Sequence, residues 1–229
     1  MSIEYLRRHV GWFYRLRCIY LFASLLLLIV LLPFLGGGTG IQGRIVGNLI
    51  NMFVLVAAVA AVGRSRLSFI IALLFTLPVL GFQFAGLTLG EQQYLAWSWG
   101  FGAAFYATTL SLLLRYVFSA DVMNADKLVG AAAAYMLLGI LWAYLYMILQ
   151  HFHMGSFALQ GVPVAAMTPP ELIYFSFMVL TTTGFGDIVP VLPHARSLVN
   201  LEQICGTLFV AILIARLAGI YPQSEKSNH

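Results

Sequence analysis

Residues 171–190 read ELIYFSFMVLTTTGFGDIVP, and what this stretch can do inside a membrane decides the fold. Its apolar part, Pro170 to Leu180, is about half of the roughly 20 residues a helix needs to cross the hydrocarbon core. A run that short reads as a re-entrant helix. After it comes TTTGFGD, Thr181 to Asp187. Irregular backbone persists at membrane depth only where protein or a water-filled path covers it, so a glycine-punctuated turn here needs a reason. Cation conduction supplies one, because a row of backbone carbonyls facing one side can replace the water shell of an ion. An extended strand alternates its carbonyls. Aligning them needs alternate residues in conformations that side-chain-bearing residues disfavour, and Gly184 and Gly186 sit at alternate positions. Thr182 adds a hydroxyl oxygen at the inner end. Pro169, Pro170 and Glu171 open the short helix, where a missing N–H costs least, and its negative carboxyl end points at the threonines. A tight Thr/Gly turn without an ion would account for GFG alone. It does not account for a half-length helix, three threonines, GFG, an acid and Pro190 in that order.

Outward from this segment the chain is apolar. Of 229 residues 61% are hydrophobic and 9% charged, against roughly 25% charged in a soluble domain, which excludes a soluble enzyme and a disordered tail. Long apolar runs predict six spans, from Leu16 to Leu35, Ile45 to Val62, Leu67 to Leu89, Tyr94 to Phe118, Leu128 to Gln150 and Arg196 to Gly219. Pro78 is expected to kink the third. Arg7, Arg8, Arg15, Arg17, Arg64, Arg66, Arg115, Lys127, Arg216 and Lys226 fall on one side, leaving Arg44 and Arg196 on the other. The positive-inside rule then places both termini in the cytoplasm and opens the short segment to the outside. The first apolar run is longer than the core of a signal peptide and is taken as an uncleaved span. Cys18 and Cys205 lie inside apolar runs and form neither a disulfide framework nor a metal cluster.

The stretch from Glu171 to Pro190 resembles the pore segment of the potassium channel superfamily, whose filter usually reads TVGYGD. The flanking DKLVGAAAAYMLLGILWAYLY and ARSLVNLEQICGTLFVAILIARLAGIY resemble the two pore helices of bacterial two-helix ion channels, so the likeness runs from about Asp121 to Tyr221. It implies an all-α integral membrane fold, with six transmembrane helices, a re-entrant pore helix and a filter loop, assembled as a homotetramer around one pore. It implies that Thr182, Thr183, Gly184, Phe185 and Gly186 form the selectivity filter, with K+ held at Thr182, Thr183, Gly184 and Phe185. Gly206 falls where the family commonly has a hinge glycine; close helix packing is the competing explanation. Thr183 replaces the usual valine, and its hydroxyl is expected to bond behind the filter. Phe185 replaces the usual tyrosine, and Tyr174 and Phe175 stand where relatives have two tryptophans, which leaves an apolar cuff with no orphaned polar group. Tyr174 keeps a hydroxyl within expected reach of Asp187.

Residues 1–120 are read as a four-helix domain without a voltage-sensor arginine array, since the fourth span holds Arg115 alone. Residues 121–222 are the pore domain and 223–229 a short cytoplasmic tail. Glu202, an acid at membrane depth, is expected to support the filter from behind against Ser176 or Thr181. His151, His153 and His194 fall near the outer mouth, where proton modulation competes with simple solvated loops. Arg7, Arg8, Arg15 and Arg17 can also hold anionic lipid. The sequence thus predicts a non-enzymatic potassium channel of a prokaryotic cytoplasmic membrane. K+ is its permeant ion; no cofactor and no nucleic-acid partner are expected. The rivals are a weakly selective cation channel of the same fold, a secondary transporter, and a membrane scaffold with a dead pore.

Overall fold

The structure, a computed structural model, describes residues 17–35, 66–89, 92–119 and 124–220. The expected second span, the aromatics Trp12 to Tyr14, the glycines 36–38 and the tail 223–229 lie outside the described residues. So does the basic cluster from Arg7, apart from the backbone of Arg17. Six helices are described: α1 (Arg17–Leu35), α2 (Arg66–Leu89), α3 (Gln92–Val117), α4 (Ala125–Phe152), α5 (Pro169–Leu180) and α6 (Pro193–Ile220). Each of the five expected spans that falls within the described residues is helical, and α2 runs through Pro78 as one helix.

Length and composition separate them. Among the described residues, Ala125–Phe152 and Pro193–Ala218 are long and apolar enough to cross a membrane, whereas Cys18–Leu32, Leu73–Gly86 and Pro169–Leu180 are shorter apolar stretches. The described residues are mostly helical, in keeping with the expected all-α fold, with one small addition. A three-stranded antiparallel sheet of order β2-β1-β3 joins β1 (Phe157–Leu159), β2 (Val162–Pro163) and β3 (Ile188–Pro190). Its hairpin turns at Gln160 (φ 49°) and Gly161 (φ 82°), the doubly left-handed pair that matches strand twist in a two-residue loop. Three short strands with no long alternating pattern gave no signal of period two in the sequence.

Helix α4 is the centre of the chain, in contact with α1, α3, α5 and α6. Its buried positions include Gly130, Ala131, Ala133, Ala134, Gly139 and Ala143, small residues that let neighbouring backbones approach closely. A Cβ at Gly130 would meet Cys18 Sγ of α1 at 3.1 Å and Val117 of α3 at 3.2 Å. Asn124 caps the amino end, its side chain accepting from Lys127 N at 2.9 Å. At the same end Asp126 accepts from Tyr116 Oη at 2.8 Å and from Cys18 N at 3.2 Å. Lys127 is buried and donates to Ser119 Oγ at 2.8 Å. Arg216, near the end of α6, donates to the carbonyls of Phe118 and Ser119 at 3.0 and 2.6 Å. Lys127 and Arg216, which the charge pattern assigned to one side, therefore meet at one end of the molecule.

Candidate functional site: a pore helix and filter loop

Helix α5 starts where its sequence says it should. Pro169 and Pro170 occupy the first turn, and the Glu171 carboxylate reaches back to accept from Thr168 N at 2.7 Å. The helix is then fastened at Ser176 and at Leu180. Ser176 Oγ lies 2.6 Å from Gly139 O of α4 and 2.5 Å from Glu202 Oε1 of α6. Tyr146 Oη donates to the other oxygen of Glu202, which is fully buried. At the carboxyl end Tyr135 Oη donates to Leu180 O at 2.9 Å.

Two glycines set how close the helices come. A Cβ at Gly139 would stand 2.9 Å from the Phe177 ring, and one at Gly206 would stand 2.6 Å from Leu180 O. The second cannot be relieved by a side-chain rotation, because the obstacle is backbone. Gly206 is therefore a contact point between α6 and the end of α5.

Beyond Leu180 the chain folds back on the carbonyls that the helix leaves open. Thr181 N donates to Phe177 O at 3.0 Å, Thr182 N to Val179 O at 3.0 Å, and Thr183 N and Gly184 N to Met178 O at 2.9 and 3.2 Å. These bonds tie the loop to α5. Positive φ values then occur at alternate residues: Thr182 (58°), Gly184 (54°) and Gly186 (80°). This is the alternation the two glycines predicted, and it extends one position further than they did. A β-branched threonine in the left-handed region costs about 1–3 kcal/mol and persists only where its surroundings over-determine it.

Two threonine hydroxyls of the loop meet each other. Thr181 Oγ1 donates to Phe177 O at 2.6 Å, so its 2.8 Å contact with Thr183 Oγ1 is one in which Thr183 is the donor. At the far end of the loop the Asp187 side chain beside the Tyr174 hydroxyl raises that hydroxyl's pKa. The backbone there is pinned to the sheet, with Gln160 N donating to Asp187 O at 2.7 Å and Leu159, Ala158 and Phe157 opposite Ile188, Val189 and Pro190.

Glu202 meets Ser176, one of the two partners expected for it; Thr181 is bonded to α5, and the second partner of Glu202 is Tyr146. Phe175 does not line the loop within the chain. It is buried against Tyr146 and Phe157, with ring centroids at 5.4 and 5.3 Å, while Phe185 stands 71% exposed. Sequence reasoning missed Tyr135 and Tyr146. Their spacing to Gly139, four and seven residues, places all three on one helical face, a pattern that could have marked the side of α4 turned to the pore helix.

Residues 131–221 match the family model described as an ion channel. The match starts within α4 and continues just past the end of α6, so it takes in most of α4, α5, the loop and α6, and leaves α1 to α3 outside. This part of the chain is similar to an ion-channel domain. No curated protein and no solved structure matches the chain.

Proposed function

We propose that the protein is a potassium-selective channel whose TTTGFGD loop, contributed by four identical chains, forms the filter. The observation that carries this reading is the alternation of left-handed φ at Thr182, Gly184 and Gly186, the backbone pattern that a row of carbonyls facing one side requires. K+ is then held by the carbonyls of Thr182, Thr183, Gly184 and Phe185, with Gly186 closing the row. Thr183 turns its hydroxyl to Thr181, so it offers the ion a carbonyl as the usual valine would. That favours selectivity over the weakly selective alternative. Residues 181–186 are all exposed in the single chain, and one strand cannot surround an ion. Fourfold assembly supplies the rest of the shell and covers the apolar side of α6.

Six spans per chain, with both termini in the cytoplasm of a prokaryotic cell, belong to the same proposal. Residues 1–120 form the outer four-helix domain, 121–222 the pore domain and 223–229 the tail. With Arg115 alone at the end of α3, the channel has no array of gating charges. Anionic lipid at Arg7, Arg8, Arg15 and Arg17 is part of this reading, and Gly206 acts as a hinge only if α6 can leave Leu180.

Glu202 supports the filter through a proton count. Ser176 has one hydroxyl hydrogen and two oxygens within reach, Gly139 O and Glu202 Oε1. Every donor finds an acceptor when Glu202 carries a proton: it donates to Ser176, Ser176 to Gly139 O, and Tyr146 to Glu202. Asp187, steadied by Tyr174, holds the outer end.

The test is ion flux through purified protein in liposomes, with potassium run beside sodium and beside Gly184→Ala. Potassium flux without sodium flux, lost in the variant, is the expected result. Passage of both ions would replace the reading by a weakly selective channel, and flux unaffected by Gly184→Ala would overturn the filter.

A further inference from the structure

His153 ends α4 as its carboxyl cap, and His194 is the second residue of α6. They are 41 positions apart in sequence (194 − 153), yet their ring centroids lie 4.6 Å apart with planes tilted by 38°. We propose that these two imidazoles form a binding site for a divalent transition cation, Zn2+ or Ni2+, that bridges the outer end of α4 to the start of α6.

The distance fits a shared ion. With metal–nitrogen bonds of about 2.0–2.1 Å, two imidazoles on one metal have ring centres roughly 4.5 Å apart at a right angle and about 5.2 Å apart at the tetrahedral angle. The pair therefore suits adjacent positions on an octahedral ion as it stands and a tetrahedral one after a small side-chain shift. Imidazole nitrogen suits Zn2+, Ni2+ and Cu2+ and is a poor ligand for Ca2+ and Mg2+, which take oxygen. Among the described residues no group of three or more His, Cys, Asp or Glu could hold a metal. The site is therefore a two-ligand one, and both side chains are exposed, so water completes the shell.

The backbone beneath is already set. His153 N donates to Leu149 O at 2.8 Å, and His153 O accepts from Ser156 N and Ser156 Oγ at 3.2 and 2.5 Å. Ser156 is fully buried, and its own carbonyl accepts from Val191 N at 2.8 Å, two residues before α6 begins. One buried serine thus joins the two turns that carry the histidines. An ion has only side-chain rotamers left to order, which removes much of the usual entropic cost of binding. The bridge spans the same connection that pins the outer end of the filter loop through β1 and β3.

The test is isothermal titration of the purified full-length protein with zinc chloride, and separately nickel chloride, in detergent. The expected result is one saturable ion per chain, with affinity lowered at least about tenfold in His153→Ala and in His194→Ala. His151→Ala serves as the internal control. Its ring packs on Trp99 and Phe152, with centroids at 6.0 and 5.2 Å, and binding should be unchanged. Because His153 and His194 are exposed, the variants should keep the parent's helical circular dichroism. Overturning results are no ion bound by the parent, parent-like binding by the double variant, or an equal loss in His151→Ala. The readout is binding alone, so it stands apart from whether the protein conducts.

Discussion

Helices α4 and α6 are both 28 residues long and match in hydropathy over their most apolar windows, yet 56% of that window is buried within the chain in α4 against 17% in α6. The difference lies in side-chain size and placement. α4 carries small residues on several faces and so accepts α1, α3 and α5 at once. α6 carries Leu201, Ile204, Leu208, Ile212 and Ile214 exposed, and touches the rest of the chain mainly through Ala195, Val199, Glu202 and Gly206. One helix organises its own chain. The other presents an apolar surface that the described residues leave uncovered.

The largest expected effect breaks this comparison directly. Leu137 of α4 is fully buried, and Leu137→Asp should cost several kcal/mol and prevent accumulation of folded chain. Leu208 of α6 is exposed, and Leu208→Asp should leave the chain helical by circular dichroism while native mass spectrometry shows the oligomer lost. Equal damage from both would mean that α6 is held by its own chain as firmly as α4.

Next in size is the point where α6 does touch the chain. Gly206→Ala forces a Cβ onto Leu180 O and should cost about 1–3 kcal/mol, read as a lower thermal midpoint of the assembled protein. A neutral result would show that α6 can slide off the pore helix. Glu202→Ala leaves the hydroxyl of Tyr146 without its acceptor and should cost about 1–3 kcal/mol, whereas Glu202→Gln keeps one donor and one acceptor in place and should remain near the parent. Parity of the two variants in thermal denaturation would remove the proton count proposed above. The smallest effect is expected at Tyr135→Phe, where losing the bond to Leu180 O should cost about 0.5–1.5 kcal/mol with little change in assembly.

Much of the site was readable in one dimension because its chemistry is local. The capping residues Pro169 to Glu171, the half-length helix and the glycines at 184 and 186 act on their own backbone, so spacing alone announces them. The helices were legible for the same reason, since bilayer thickness converts run length into element length. Spacing alone did not show that Thr182 shares the left-handed conformation of the glycines. Nothing in its residue type asks for it, and the bonds from the loop to Phe177, Met178 and Val179 impose it. Tertiary structure alone paired Glu202 with Tyr146, moved Phe175 into the core beside Phe157, built the sheet that anchors Asp187, and brought His153 to His194. Each of these joins residues distant in sequence. Periodicity records which face of a helix is apolar, whereas packing decides which partner that face meets.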